Sequence, residues 1–192
     1  MTFQEIKDIL KNKTVGLAGC GGLGSNCAVA LARVGIGNII IADFDKIELS
    51  NLNRQYYFYN QIGLFKADAL KDNIKIINPF TNVISHNIKL NNNNITEIFA
   101  QCDVIVEAFD KSEMKAMILK TVTMFMPNKY LVMGLGMAGW GKSNILTQKT
   151  YDKLIICGDE SIEIADNCPP LAPRVGIVAN MQANAVLEIL LK

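Results

Sequence analysis

The sequence predicts an α/β fold with a mostly parallel central sheet, helices on both of its faces, and antiparallel strands toward the C-terminal part. Three observations predict it. Short apolar runs alternate with segments of helical periodicity. The first run leads through Gly19-x-Gly21-x-x-Gly24 into an alanine-rich helical segment. After residue 134 the alternation gives way to glycine-rich sequence and closely spaced strand patterns. Together they describe a Rossmann-like arrangement, and a chain of 192 residues is long enough to bury its core within one domain, residues 1–192.

Phe3, Ile6, Ile9 and Leu10 recur at helical spacing, and Asn12-Lys13 ends that first amphipathic helix. Residues 15–18 read as a buried strand and 22–34 as a helix, which Gly35-Ile36-Gly37-Asn38 breaks before a second strand at 39–42. A polar loop covers 43–63. The helix expected at 66–77 stops at Asn78-Pro79, because the residue before a proline is driven out of the helical region. A strand near 83–88 follows. The four asparagines at 91–94 read as a turn, one of them capping a short helix at 95–100. Residues 103–108 read as a strand, 112–126 as a helix and 130–135 as a strand. Residues 143–148 and 154–157 read as further strands, 158–173 as an irregular loop, and 174–191 as an apolar closing helix for burial on the sheet or at a dimer contact.

With 19 basic and 18 acidic residues the net charge is +1, which leaves no electrostatic footprint for nucleic acid or an anionic membrane. The apolar stretch 15–41 is interrupted by seven glycines and by Asn26, Arg33 and Asn38, so no span crosses a bilayer, and the N-terminus carries no leader pattern. A cytoplasmic location is expected. Cys20, Cys27, Cys102, Cys157 and Cys168 are odd in number and widely spaced, which suits reduced thiols. No pair forms C-x-x-C, so no structural zinc is expected.

Gly19, Gly21 and Gly24 leave room for a phosphate-bearing ligand to approach the backbone, and the exposed N–H groups of the helix start favour its charge. Asp43 ends the second strand, 19 residues after Gly24, where an acidic side chain accepts hydrogen bonds from ribose hydroxyls. Both features suit NAD as well as ATP. Arg54 and Lys66 flank one polar loop, and transfer of an adenylyl group to a carboxylate needs such cations to neutralise a polyphosphate leaving group. Asp110 follows the strand 103–108 at the carboxyl edge of the sheet, where it could hold Mg²⁺ beside the phosphates or cap the next helix. Asp45 either orients its loop or touches ligand. A carboxylate nucleophile, with an unperturbed pKa near ~4, needs no general base. His86, the one histidine, stands outside every motif, and hydride transfer lacks an acid–base partner.

The set Gly19-Cys20-Gly21-Gly22-Leu23-Gly24-Ser25, Asp43-Phe44-Asp45, Ser50-Asn51-Leu52-Asn53-Arg54-Gln55, Lys66 and Asp110 resembles the ThiF/MoeB/HesA branch of the ubiquitin-activating-enzyme superfamily. The likeness spans about residues 14–148, and the closing 171–177 is similar to a short ThiF-like subfamily associated with thiamine biosynthesis. The resemblance implies that Gly22 and its neighbours contact the nucleotide and that Asp43 binds ribose. Asn51, Arg54, Gln55 and Lys66 would surround the phosphates, and Asp110 would hold the metal. It implies ATP and Mg²⁺, a homodimer, and a ubiquitin-like sulfur-carrier protein whose C-terminal Gly-Gly carboxylate becomes an acyl adenylate. Thiamine-type, molybdopterin-type and other carriers stay open, as do an NAD-dependent oxidoreductase and an inactive nucleotide-binding module.

Three departures stand out. Residues 1–13 hold no arginine where longer members place a finger for the partner subunit. The two zinc-binding C-x-x-C pairs are absent, which predicts a C-terminal region held by packing alone. Cys157 or Cys168 would correspond to a carrier-linked thiol, and neither is distinguished by its surroundings. The segment 134–141 offers narrow space for a carrier's extended tail, with Met137 and Trp140 either gripping the carrier's apolar face or completing the core.

Overall fold

The structure is a computed structural model, and it describes residues 1–161 and 165–192. Helix α1 (Phe3–Leu10) opens on a reciprocal cap in which Thr2 and Glu5 satisfy each other's backbone N–H groups. Strand β1 (Thr14–Ala18), helix α2 (Gly22–Val34) and strand β2 (Asn38–Ala42) form the first βαβ unit. Two single-turn 3₁₀ segments, Leu49–Asn51 and Tyr59–Gln61, lie in the loop before α3 (Lys66–Ile77). Then come β3 (Asn82–His86), α4 (Asn92–Ile98), β4 (Val104–Glu107), α5 (Ser112–Phe125) and β5 (Tyr130–Gly134). A third 3₁₀ turn, Ser143–Ile145, precedes β6 (Thr147–Tyr151), β7 (Leu154–Gly158) and α6 (Ala172–Leu190).

The strands form one sheet in the order β3-β2-β1-β4-β5-β7-β6, parallel throughout except that β6 runs against β7. Alternation at period two sends successive residues to opposite faces. Val15, Leu17, Ile39, Ile41, Val104 and Val106 join the core beneath α2, α3 and α6. Ile40, Ala42 and Ile105 join the second core, which Ile95, Phe99, Ile118 and Val122 complete. The chain leaves β1 toward β2 on one side and returns to β1's other side at β4, so a switch point falls at the carboxyl ends of β1 and β4.

Three details correct the sequence reading. Residues 143–146 are not strand: Gly141 and Lys142 have φ of 63° and 49°, which breaks the extended path, and pairing begins at Thr147 opposite Gly158. Helix α4 starts upstream of the expected residue, because Asn91 accepts from the N–H groups of Asn93 and Asn94 while Asn94 returns a bond to Asn91. The C-terminal region is not held by packing alone. Helix α6 crosses α2, and in addition the buried Arg174 guanidinium pairs with the buried Asp159 carboxylate and donates to the carbonyls of Gly141 and Lys142.

Candidate nucleotide-binding site

A cavity of about 230 Å³ opens at the switch point, and the glycine turn forms one wall of it. Gly19 turns the chain with φ +99°, a conformation L side chains rarely adopt. Gly24 does not line the cavity: a Cβ there would lie 2.0 Å from the carbonyl oxygen of Gly19, so its role is to let α2 dock on the turn. Gly21 does line it. A Cβ added there would meet within 4 Å only Gln55 Nε2, at 3.8 Å, and would otherwise occupy the cavity. The amino end of α2 has no side-chain cap, so its N–H groups are available to an anion.

Asp43 lies at the carboxyl end of β2 and lines the same space. Its Oδ2 accepts from Cys20 N at 2.6 Å and its Oδ1 from Asp45 N at 2.8 Å, which ties the glycine turn to the loop after β2. Burial raises its carboxyl pKa above the ordinary aspartate range, and those two hydrogen bonds and Lys66 oppose the rise.

Lys66 is the first residue of α3 and is only 6% exposed; its Nζ pairs with Asp45 Oδ2 at 2.9 Å. Arg54 donates from Nη1 to Ser50 O at 3.1 Å and to Asn53 Oδ1 at 2.8 Å, which folds its side chain over its own turn. Both line the cavity, and so do Asp45, Gln55 and Asp110. The structure therefore brings Arg54 from the loop between β2 and α3, Lys66 from the first position of α3, and Asp110 from the loop after β4 to one space beside Gly19, Gly21 and Gly22. Asn51 is not in the lining: its Oδ1 accepts from Glu48 N at 3.1 Å, so it braces the turn that carries Arg54. Asp110 does not cap α5, whose cap position is Lys111 with no side-chain bond.

The residues fit a nucleoside triphosphate. Gln55 Oε1 is buried and without a hydrogen-bond partner among the described residues, so the cavity wall holds an acceptor that awaits a donor. They also fit Mg²⁺ in its usual manner, one or two carboxylates with substrate phosphates completing the shell. Asp110 is the carboxylate that would supply the hard oxygen, and no group of three His, Cys, Asp or Glu converges among the described residues.

Sequence reasoning missed the apolar part of the cavity lining, formed by Phe44, Ile88, Leu90, Phe109 and Met114. Lys89 holds its Nζ 5.8 Å from the Phe44 ring centroid. These residues share no spacing, and only the sheet order brings them together. It also missed Tyr57, whose buried Oη lies 2.8 Å from Cys20 O and 3.2 Å from Lys66 O, fastening the glycine turn to the start of α3.

His86 stands at the end of β3 outside the lining. Cys157 is fully buried on β7, and burial pushes its thiol up to about 12, the reverse of what a nucleophilic thiol requires. Cys168 is half-buried, with its Sγ 3.0 Å from where a Cβ on Gly139 would sit. Met137 is half-buried and lines the cavity, whereas Trp140 is 72% exposed and completes no core. No helix among the described residues is long and apolar enough to cross a membrane.

The ThiF family model matches residues 3–192. Adenylyltransferase and sulfurtransferase MOCS3 of Caenorhabditis briggsae is 30% identical over 190 residues, covering 95% of this chain and 47% of that protein. The chain thus spans less than half the length of that relative. Molybdopterin-synthase adenylyltransferase of Haemophilus influenzae is 29% identical over 189 residues, covering 95% of this chain and 76% of that protein. Among solved structures, the E. coli tRNA N6-threonylcarbamoyladenosine dehydratase TcdA in complex with AMP superposes with a TM-score of 0.87 at 19% identity, covering 98% of this chain and 89% of that one. That likeness is one of fold.

Proposed function

We propose that this chain, which belongs to the ThiF family, is an ATP-dependent adenylyltransferase acting on the C-terminal Gly-Gly carboxylate of a small ubiquitin-like sulfur-carrier protein. The observation that carries this reading is the meeting of Arg54, Lys66 and Asp110 around the cavity walled by the glycine turn. In the reaction a carboxylate oxygen attacks the α-phosphorus of ATP. The bond to the bridging oxygen breaks, pyrophosphate leaves, and an acyl adenylate forms. The nucleophile is ionised at neutral pH, so the protein's task is placement and charge neutralisation.

Asp43 is set to receive the ribose hydroxyls, because each carboxylate oxygen keeps a lone pair beyond the N–H it already accepts. Lys66, held by Asp45, and Arg54, held by its own turn, both line the cavity and would meet the charge on the leaving pyrophosphate. Asp110 would hold Mg²⁺, which when bound supplies charge neutralisation across the phosphate oxygens. The apolar part formed by Phe44, Ile88, Leu90 and Met114 suits a purine ring. The carrier tail is placed beside the glycine-rich 134–141 segment, whose Met137 lines the cavity, and two terminal glycines are the narrowest tail that could enter there.

The closing 171–177 segment favours a thiamine-type carrier, and the molybdopterin-synthase adenylyltransferase among the relatives favours a molybdopterin-type one. We take the thiamine-type carrier as the first to test, with the protein as a cytoplasmic homodimer whose mass sedimentation equilibrium would check. The decisive experiment mixes protein, Mg-ATP and each carrier and examines the carrier by intact mass. Gain of one adenylyl group on the Gly-Gly tail supports the reading. ATP binding with no adenylylation and no pyrophosphate exchange for any carrier would mark an inactive binding module, and a nicotinamide-dependent absorbance change would mark an oxidoreductase.

A further inference from the structure

Glu107 and Lys115 form an ion pair that neither lines the cavity nor lies on the surface. The Glu107 side chain is 0% exposed and that of Lys115 is 13% exposed. Lys115 Nζ donates to Glu107 Oε1 at 2.9 Å, to Glu107 Oε2 at 3.0 Å and to Gly134 O at 2.8 Å. Glu107 Oε1 also accepts from Phe109 N at 2.6 Å. A buried pair of this kind gives little or no stability over apolar residues of the same volume, since desolvation offsets the attraction. Its bonds end, however, on two segments that the site needs in fixed relation. One is the Phe109–Asp110 turn, which carries the carboxylate proposed above to hold Mg²⁺. The other is Gly134, where β5 ends and the glycine-rich segment 134–141 begins, with Met137 in the cavity lining. Gln182 of α6 adds a third anchor, donating from Nε2 to Glu107 O at 2.8 Å and Val132 O at 3.3 Å.

We infer that the Glu107–Lys115 pair is a positioning device that sets Asp110 against the path of the carrier tail, without itself touching ATP or carrier. The inference rests on the adenylyltransferase reading above. Asp43 follows β2, Arg54 stands in the loop before α3 and Lys66 opens α3, and none of them shares a hydrogen bond of the pair; the glycine turn meets the end of β4 through backbone, Ala108 N donating to Ala18 O at 2.9 Å, so nucleotide binding and alignment for attack are separable. A displacement of about 1 Å at a reacting centre costs roughly a hundredfold in rate, so alignment is where the pair acts.

The test compares wild type, Lys115→Met, Lys115→Arg and the double variant Glu107→Gln/Lys115→Met. It reads carrier-dependent exchange of labelled pyrophosphate into ATP, and equilibrium ATP affinity with and without Mg²⁺. Lys115→Met should lose about thirtyfold or more in kcat while Mg²⁺-free ATP affinity stays within about threefold, and it should lose most of the affinity that Mg²⁺ adds. Lys115→Arg, whose fork can reach the carboxylate and a carbonyl together, should recover kcat to within about fivefold. If Lys115→Met does not unfold cooperatively, the double variant, which leaves no unpaired buried charge, is judged by the same criteria.

A Lys115→Met enzyme within about twofold of wild type in kcat overturns the inference. So does ATP affinity falling in step with kcat, or an arginine variant as impaired as the methionine one. A wild type inert with every carrier defeats the proposed function instead. The pair is then judged on Mg²⁺ alone: loss of the metal-dependent gain in Lys115→Met supports it, and its retention, or a wild type with no such gain, overturns it.

Discussion

Two glycines of one turn do different work, and substitution separates them. Gly24 has a backbone oxygen 2.0 Å from where its Cβ would be, so Gly24→Ala forces α2 away from β1. That change should cost about 1–3 kcal/mol and lower the thermal midpoint by several degrees in a calorimetric scan. Gly21→Ala adds a methyl group facing the cavity, with only Gln55 Nε2 near it. The midpoint should stay put while ATP affinity falls about tenfold by titration calorimetry, the equivalent of roughly 1.4 kcal/mol. The reverse pattern would mean the ligand does not approach this turn. Asp110 is exposed, so Asp110→Ala should leave the melting curve unchanged and reduce adenylylated carrier by about 10²–10³-fold. A fully active variant would remove Asp110 from the site.

At the scale of elements, Arg174 at the start of α6 ties that helix to Asp159 beyond β7 and to the Gly141–Lys142 turn. Arg174→Met would leave the Asp159 carboxylate buried without this partner, and the expected loss is about 3–5 kcal/mol in urea unfolding; a loss below about 1 kcal/mol would show that α6 is held by its apolar face alone. In sequence Arg174 read as the first residue of a helix and as part of the closing 171–177 segment, and its ion pair was not legible, because its partner lies 15 positions earlier in a loop with no periodicity. Local signals were legible where they decide structure: the glycine turn announced β1-α2-β2, and Asn78-Pro79 ended α3 at Ile77. The end of β5 and the start of β6 were not, since the backbone there is set by three glycines and Lys142 at positive φ rather than by side-chain alternation. The charged part of the cavity lining was legible because charged residues in a loop stand out. The apolar part was not, because Phe44, Leu90 and Met114 look like core in sequence, and only the strand order makes them a wall.

For the whole molecule, the sheet's switch point does the organising: it brings the ends of β1, β2 and β4 to one cavity and leaves two carboxylates shielded from water, Glu107 wholly and Asp43 in part. Burial raises the pKa of both in the folded chain, and their hydrogen bonds and lysines counter it only in part. A carboxyl with a folded pKa above its unfolded value binds its proton more tightly when folded. Its contribution to stability is therefore complete below the unfolded value near ~4 and is lost as pH rises through the folded one. Asp8 and Glu188 act oppositely, because their pKa values are lowered by hydrogen bonds to Lys11 and Gln148, but both are exposed and screened. With a net charge of +1 there is little overall repulsion to obscure the balance. Asp43→Asn isolates one group. The amide loses part of the hydrogen bonding to Cys20 and Asp45, an offset independent of pH, and it cannot ionise. Urea unfolding of both proteins from about pH 4 to about pH 7 should show the wild type losing stability relative to Asp43→Asn as pH rises. A difference that is flat, or that grows in favour of the wild type, would mean the folded chain ionises Asp43 at least as readily as the unfolded one, and that the cavity is wetter than its walls imply.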